Sequence, residues 1–204
     1  MTHPPPNKIL GSGSVVVLVL CASLALLVSA CGGALFKVKP AVELPPLAGT
    51  VKSASAGGVT LRVDTMLTDE ESQELFEANL PLAGVLALRV EVEHESGVPI
   101  ELKRARFHLR DGEGKEWGLL SPRQAISRIL KANDVYVYNP SSRKQFEDEF
   151  VAYALDLKAP LSPSDRRRQG FLFFQTPNKE PLASPRGLTL LCERLPLPIE
   201  IVLN

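Results

Sequence analysis

The sequence predicts a mainly β domain: an immunoglobulin-like β-sandwich with two or three short inserted helices, preceded by an apolar N-terminal segment and a flexible tether. Three observations predict it. From residue 59 onward, apolar and polar side chains alternate with the period of a strand. Turn signals rich in Gly, Pro, Asn and Asp divide the chain into seven or eight short runs, the rhythm of a sandwich. Windows near residue 70, at 121–132 and at 142–157 break that rhythm with helical spacing.

The first thirty residues contain no acid, and Lys8 is their only lysine or arginine. Their apolar run, Val15 to Val28, falls short of the roughly 20 residues a spanning helix needs and fits a cleaved signal peptide over residues 1–30. Counting Ile9 and Leu10 lengthens the run, so a single uncleaved transmembrane anchor is the alternative. Residues 31–58, rich in Pro, Gly, Ala and Ser, read as a tether that Pro45-Pro46 stiffens. The domain then spans residues 59–204.

Its elements follow in order. "VTLRVD" sets Val59, Leu61 and Val63 on one strand face. In "TDEESQELF", Thr68 and Glu71 have capping-box spacing, and Leu75 and Phe76 supply an apolar edge. "VLALRVEVEHE" turns Leu86, Leu88, Val90 and Val92 inward, with Arg89, Glu91, Glu93 and Glu95 outward. "IELKRARFHLRD" places Ala105, Phe107 and Leu109 inward, and Arg104, Arg106, His108 and Arg110 outward. "DGEGKEW" reads as a hairpin turn entering a strand with Trp117. A helix follows, with Ser121 as cap, Pro122 at its first position and Ile126, Ile129 and Leu130 buried. "VYVY" (135–138) reads as a short strand, and Phe146, Phe150, Tyr153, Ala154 and Leu157 recur as on a third helix. "GFLFFQTP", "LTLLCERL" and "IEIVLN" close the chain as strands punctuated by prolines.

Two stretches resemble known proteins. Val28-Ser29-Ala30-Cys31 resembles the lipobox of bacterial lipoproteins, an aliphatic residue and two small ones before the modified cysteine. The resemblance implies cleavage before Cys31, acylation of its thiol and new amino group, and stable anchoring by two or three acyl chains. Gly32, in place of the aspartate that retains such proteins, implies sorting to an outer membrane in a cell that has one. "LRVEVEHESGVPIELKRARFHLRDGEGKEW" with the later "GFLFFQTP" resembles β-sandwich domains of uncharacterised bacterial lipoproteins, over about a third of the chain. The inserted helices depart from that pattern.

Once residues 1–30 are removed, Lys8 goes with them and the remaining chain, residues 31–204, carries one net negative charge, with no field to draw nucleic acid. Acylated Cys31 leaves Cys192 as the only free thiol, which its apolar run "LTLLCERL" marks as a core residue. His94 lies between two glutamates, but no second ligand cluster has zinc-like spacing. No nucleophile elbow, phosphate loop or dinucleotide motif occurs. No catalytic residue, metal or cofactor is expected.

Arg104, Arg106 and Arg110 are the candidate anion- or partner-binding residues, with Arg166-Arg167-Arg168 as a second basic run. Glu91 and Glu93 are expected to neutralise the first face across a hairpin. The chain therefore reads as a lipid-anchored, extracytoplasmic, non-catalytic binding or scaffolding module of the cell envelope, with an envelope protein or cell-wall polymer as partner. An envelope hydrolase whose site leaves no sequence signature is the alternative.

Overall fold

The computed structural model describes residues 51–95, 97–134 and 140–204, together with Leu44 and Leu47. Cys31, the rest of residues 1–43 and the strand expected over 135–138 lie outside the described residues. Among the described residues, eight strands and three α-helices form the domain: β1 (Lys52–Ala56), β2 (Val59–Met66), α1 (Asp69–Phe76), β3 (Val85–His94), β4 (Arg106–Arg110), β5 (Glu116–Leu120), α2 (Pro122–Ala132), α3 (Pro140–Ala152), β6 (Arg167–Gln175), β7 (Thr189–Glu193) and β8 (Ile199–Val202).

All eight strands belong to one antiparallel sheet, in the order β1-β2-β3-β6-β5-β4-β7-β8. The two separate layers expected of a sandwich are thus joined. The joint is β5, whose Glu116 and Trp117 pair with β4 while Gly118 to Leu120 pair with β6. The sheet turns over at this strand, so its two halves face each other. Leu61, Leu88 and Phe174 from one half share a core with Leu109, Cys192 and Ile201 from the other. The ends of the sheet approach as well: a side chain at Gly57, in the β1–β2 turn, would meet Pro196 Cβ at 3.1 Å.

The sheet begins inside the segment read as tether. In β1, "KSASA" offers only small side chains, so its alternation is faint, yet Ala54 and Ala56 pack on the core. Leu47 ahead of it is 5% exposed, and its carbonyl accepts a hydrogen bond from Arg62 Nη2 at 3.4 Å.

Cys192 is fully buried in that core, and burial pushes its thiol up to about 12. Only the thiolate is nucleophilic. We expect no reaction of Cys192 with a disulfide reagent at pH 8 in the folded domain and full reaction in denaturant. The same shift makes the neutral thiol's contribution to stability complete below the unfolded thiol value near pH 8.5, and lost as pH rises through about 12.

The helices cover the other face of β3 and β6. Thr68 and Glu71 form the capping box of α1, and Ser121 and Gln124 that of α2, with Pro122 in its first turn. Leu75, Phe76, Ile126, Ile129, Leu130, Phe146 and Phe150 then bury their stripe against Val85, Ala87, Phe171 and Phe173. In "GFLFFQ", Phe171 and Phe173 meet the helices while Leu172 and Phe174 meet the sheet core, so β6 is apolar on both faces.

Helix α3 stops at Ala152, short of the expected Leu157. Beyond it the backbone is captured by β6: Phe171 N–H donates to the Tyr153 carbonyl at 2.7 Å, and Leu155 N–H to the Phe171 carbonyl at 3.0 Å. Gly170 permits this approach, because a Cβ there would lie 2.5 Å from both Cα and N of Leu155. Backbone atoms cannot rotate away. Gly170→Ala should therefore cost about 3 kcal/mol, the upper end of ordinary overpacking, read as a lower urea midpoint.

Strand β3 is buried on both faces, which corrects the expected polar-out alternation. Glu91 is 1% exposed and Arg89 9%. Glu91 accepts hydrogen bonds from Arg167 Nη2 at 2.8 Å and from Arg62 Nη1 at 3.2 Å, and its second oxygen pairs with Arg167 Nε at 2.8 Å. Arg89 donates to Gln169 at 3.1 Å. His94 is buried, with Nε2 at 3.2 Å from the Ser162 carbonyl.

Candidate binding cleft

The arginines singled out in the sequence do not converge. Arg104 ends a short 3-10 turn (Leu102–Arg104), whereas Arg106 and Arg110 project from β4. Strand β4 pairs with β5 and β7, so Glu91 and Glu93 of β3 are not its neighbours. The acids opposite are Glu193, in register with Arg106, and Glu116, in register with Arg110. His108 sits between them, Nδ1 at 2.8 Å from Glu116 and Nε2 at 3.7 Å from Glu193. The His108 hydrogen bond holds the Glu116 carboxyl below its ordinary value. This face is a mosaic of both signs. In the second basic run, Arg167 serves Glu91, and Arg168 bonds Asp165 at 2.7 Å and the Pro160 carbonyl at 3.2 Å.

A cleft of about 450 Å³ opens beside these strands. One wall is the β4–β5 hairpin, residues 111–115, and the other is the loop from Thr176 to Arg186, with Trp117 between them. The hairpin is organised by Asp111, whose carboxylate accepts from Glu113 N–H and Lys115 N–H at 3.0 Å and from the Trp117 indole at 3.3 Å. Slight burial pushes this carboxyl upward, but the Lys115, Trp117 and Glu113 hydrogen bonds and the Lys115 charge outweigh it and hold the group below its ordinary value.

The opposite wall is fastened at both ends. Near its start, Thr176 N–H donates to the Gly84 carbonyl at 3.0 Å and Leu182 N–H to the Pro81 carbonyl at 2.8 Å. Gly84 has φ +64°, and any Cβ there would lie 2.4 Å from the Glu180 carbonyl oxygen. At the far end the walls cross: Gly112 N–H donates to the Arg186 carbonyl at 2.9 Å, and a Cβ on Gly187 would come within 2.9 Å of Gly112 Cα. Between these points Pro177, Pro181 and Pro185 restrict the backbone. Lys179 and Ser184 hold left-handed conformations, φ +63° and +34°, which non-glycine residues seldom adopt.

Most polar groups around the cleft are already committed. Asp111 is saturated, Lys115 pairs with Glu113 at 2.7 Å, and the Thr176 hydroxyl donates to the Glu180 carbonyl at 2.7 Å. The Glu180 carboxylate and the Arg186 guanidinium are different. Both line the cleft, both residues are exposed, and among the described residues neither side chain forms an ion pair, with the other or with anything else. The lining offers charge, hydrogen-bonding groups and apolar surface. Among the described residues, no group of three or more His, Cys, Asp or Glu is placed to hold a metal ion.

The sequence reading did not find this cleft. It took "DGEGKE" as a turn and the prolines at 177, 181 and 185 as punctuation. The available signal was the long stretch between Gln175 and Thr189, since irregular loops beyond about 12 residues are uncommon and often functional. No protein-family model matches the chain, and no curated protein or solved structure is significantly similar to it.

Proposed function

We propose that this chain is a lipid-anchored, non-catalytic binding module of the cell envelope, and that the cleft between the 111–115 hairpin and the 176–186 loop is its binding site. The observation that carries the binding reading is the pair of uncommitted opposite charges, Glu180 and Arg186, on a cleft whose other charged groups, Asp111, Glu113 and Lys115, are paired or hydrogen-bonded. Exposed loop positions held by a rigid scaffold are where binding residues concentrate. The volume also lies within the about 300–1,000 Å³ of small-molecule sites. Placement at a membrane rests on the lipobox resemblance of Val28 to Cys31 and the apolar run before it. Among the described residues, no helix is long and apolar enough to cross a membrane.

A thermal-shift measurement on the full chain tests the binding reading. Envelope extract filtered to retain molecules below roughly 1 kDa, the size class that clefts of this volume hold, should raise the melting temperature. The shift should vanish in Gly187→Val, which forces the two walls apart. An extract that never shifts the native chain, or shifts both proteins alike, removes the cleft from the account.

A further inference from the structure

The class of ligand follows from what the cleft leaves unsatisfied, given the reading of the cleft as a binding site. Three acids (Asp111, Glu113, Glu180) and two bases (Lys115, Arg186) line it, so the lining is slightly negative and disfavours a polyanion such as a nucleotide. Sugar rings commonly need an open aromatic face to lie on. Trp117 is 5% exposed and its indole N–H is spent on Asp111, so it offers an edge of apolar surface instead. Pro177, Pro181, Leu182 and Pro185 extend that apolar surface along the loop. The charged groups left unpaired are one carboxylate and one guanidinium, which flank the stretch from Pro181 to Pro185 in sequence.

We infer that the cleft takes a short zwitterionic peptide, with a cationic group of the ligand at Glu180 and a carboxylate at Arg186. A guanidinium fork matches a carboxylate in two parallel hydrogen bonds, and a glutamate accepts from an ammonium. Neither rim residue has to surrender an internal partner, so the ligand breaks no existing ion pair. The Pro-restricted wall, fixed at Gly84 and at the Gly112–Gly187 crossing, is preorganised, which lowers the ordering cost of binding.

Trp117 is the only tryptophan of the chain and lies in the cleft, so the full chain reports its own binding by fluorescence, with calorimetry as a second readout. The probes are free-ended tripeptides with Ala, Leu or Pro at the centre, their N-acetylated and C-amidated forms, maltotriose and ADP. The free-ended peptides should bind saturably, and each cap should weaken them about tenfold, the worth of one charge-assisted hydrogen bond. Glu180→Gln should abolish the penalty for acetylation alone, and Arg186→Gln that for amidation alone. Both residues are exposed, so both variants should melt as the native chain does. No tripeptide binding at millimolar concentration, equal affinity for capped and free forms, or penalties unchanged in the variants would each overturn the assignment. Binding of maltotriose or ADP in place of peptide would overturn the ligand class while leaving the cleft as a binding site.

Discussion

Phe76→Ala is expected to destabilise the domain by about 3–5 kcal/mol, the range for deleting a large buried aromatic. Phe76 ends α1 fully buried, and its ring centre lies 5.1–6.1 Å from those of Phe150, Tyr153, Phe171 and Phe173. It therefore joins α1 to α3 and to the sheet at a single point. These four rings are held by elements anchored elsewhere, so they can collapse only slightly into the space left behind. Phe146, also on α3, is buried with its ring centre 5.8 Å from that of Phe150, so Phe146→Ala should fall in the same range. Urea unfolding followed by circular dichroism measures both. A loss below about 1 kcal/mol for Phe76→Ala would mean that the helices do not share a core with the sheet.

The second large effect concerns Glu91. Replacing Arg62 and Arg167 together by Met should cost about 3 kcal/mol, because it strands a carboxylate that the sheet has removed from water. That value is the low end of the range for breaking a buried pair, since the Arg62 and Arg167 side chains are 24% and 48% exposed and water screens them. Each single replacement should cost well under half the double, as the remaining arginine still faces the acid. Adding Glu91→Met to the double variant should restore most of the loss, since a packed apolar trio replaces an ion triad at little cost. Full additivity of the singles would contradict the shared-acid arrangement.

The inner face of the sheet was legible in the sequence because period-2 alternation reports one buried face directly. Val59, Leu61, Leu86, Leu88, Phe107 and Leu109 all point where that pattern places them. The capping boxes at Thr68 and Ser121 were legible for the same reason, being local chemistry over four residues. What escaped was set by distant approach. Arg89 and Glu91 look like a solvent face until Arg62, Arg167 and Gln169 arrive from β2 and β6 to satisfy them. The single curled sheet depends on β5 dividing its five residues between two neighbours, which no periodicity encodes. The cleft is the extreme case. Its walls lie more than sixty residues apart in sequence and meet through the backbones of Gly112 and Arg186, so neither "DGEG" nor "SPRG" announces the other.

The shape of the domain bears on its proposed setting. Leu47 is buried and Arg62 holds its carbonyl, so the chain reaches the domain well before residue 59. Leu44, the first described residue, packs beside the helices, so the proposed anchor at Cys31 precedes it by thirteen positions in sequence.

The most direct test of that placement is the mass of the N-terminal peptide of the protein isolated from membranes of cells given labelled palmitate. The account predicts that residues 1–30 are absent, that the first residue is a label-bearing, acylated Cys31, and that Cys31→Ser loses both label and membrane association. An unlabelled chain that begins at Met1 and stays with the membrane after Cys31→Ser would contradict it.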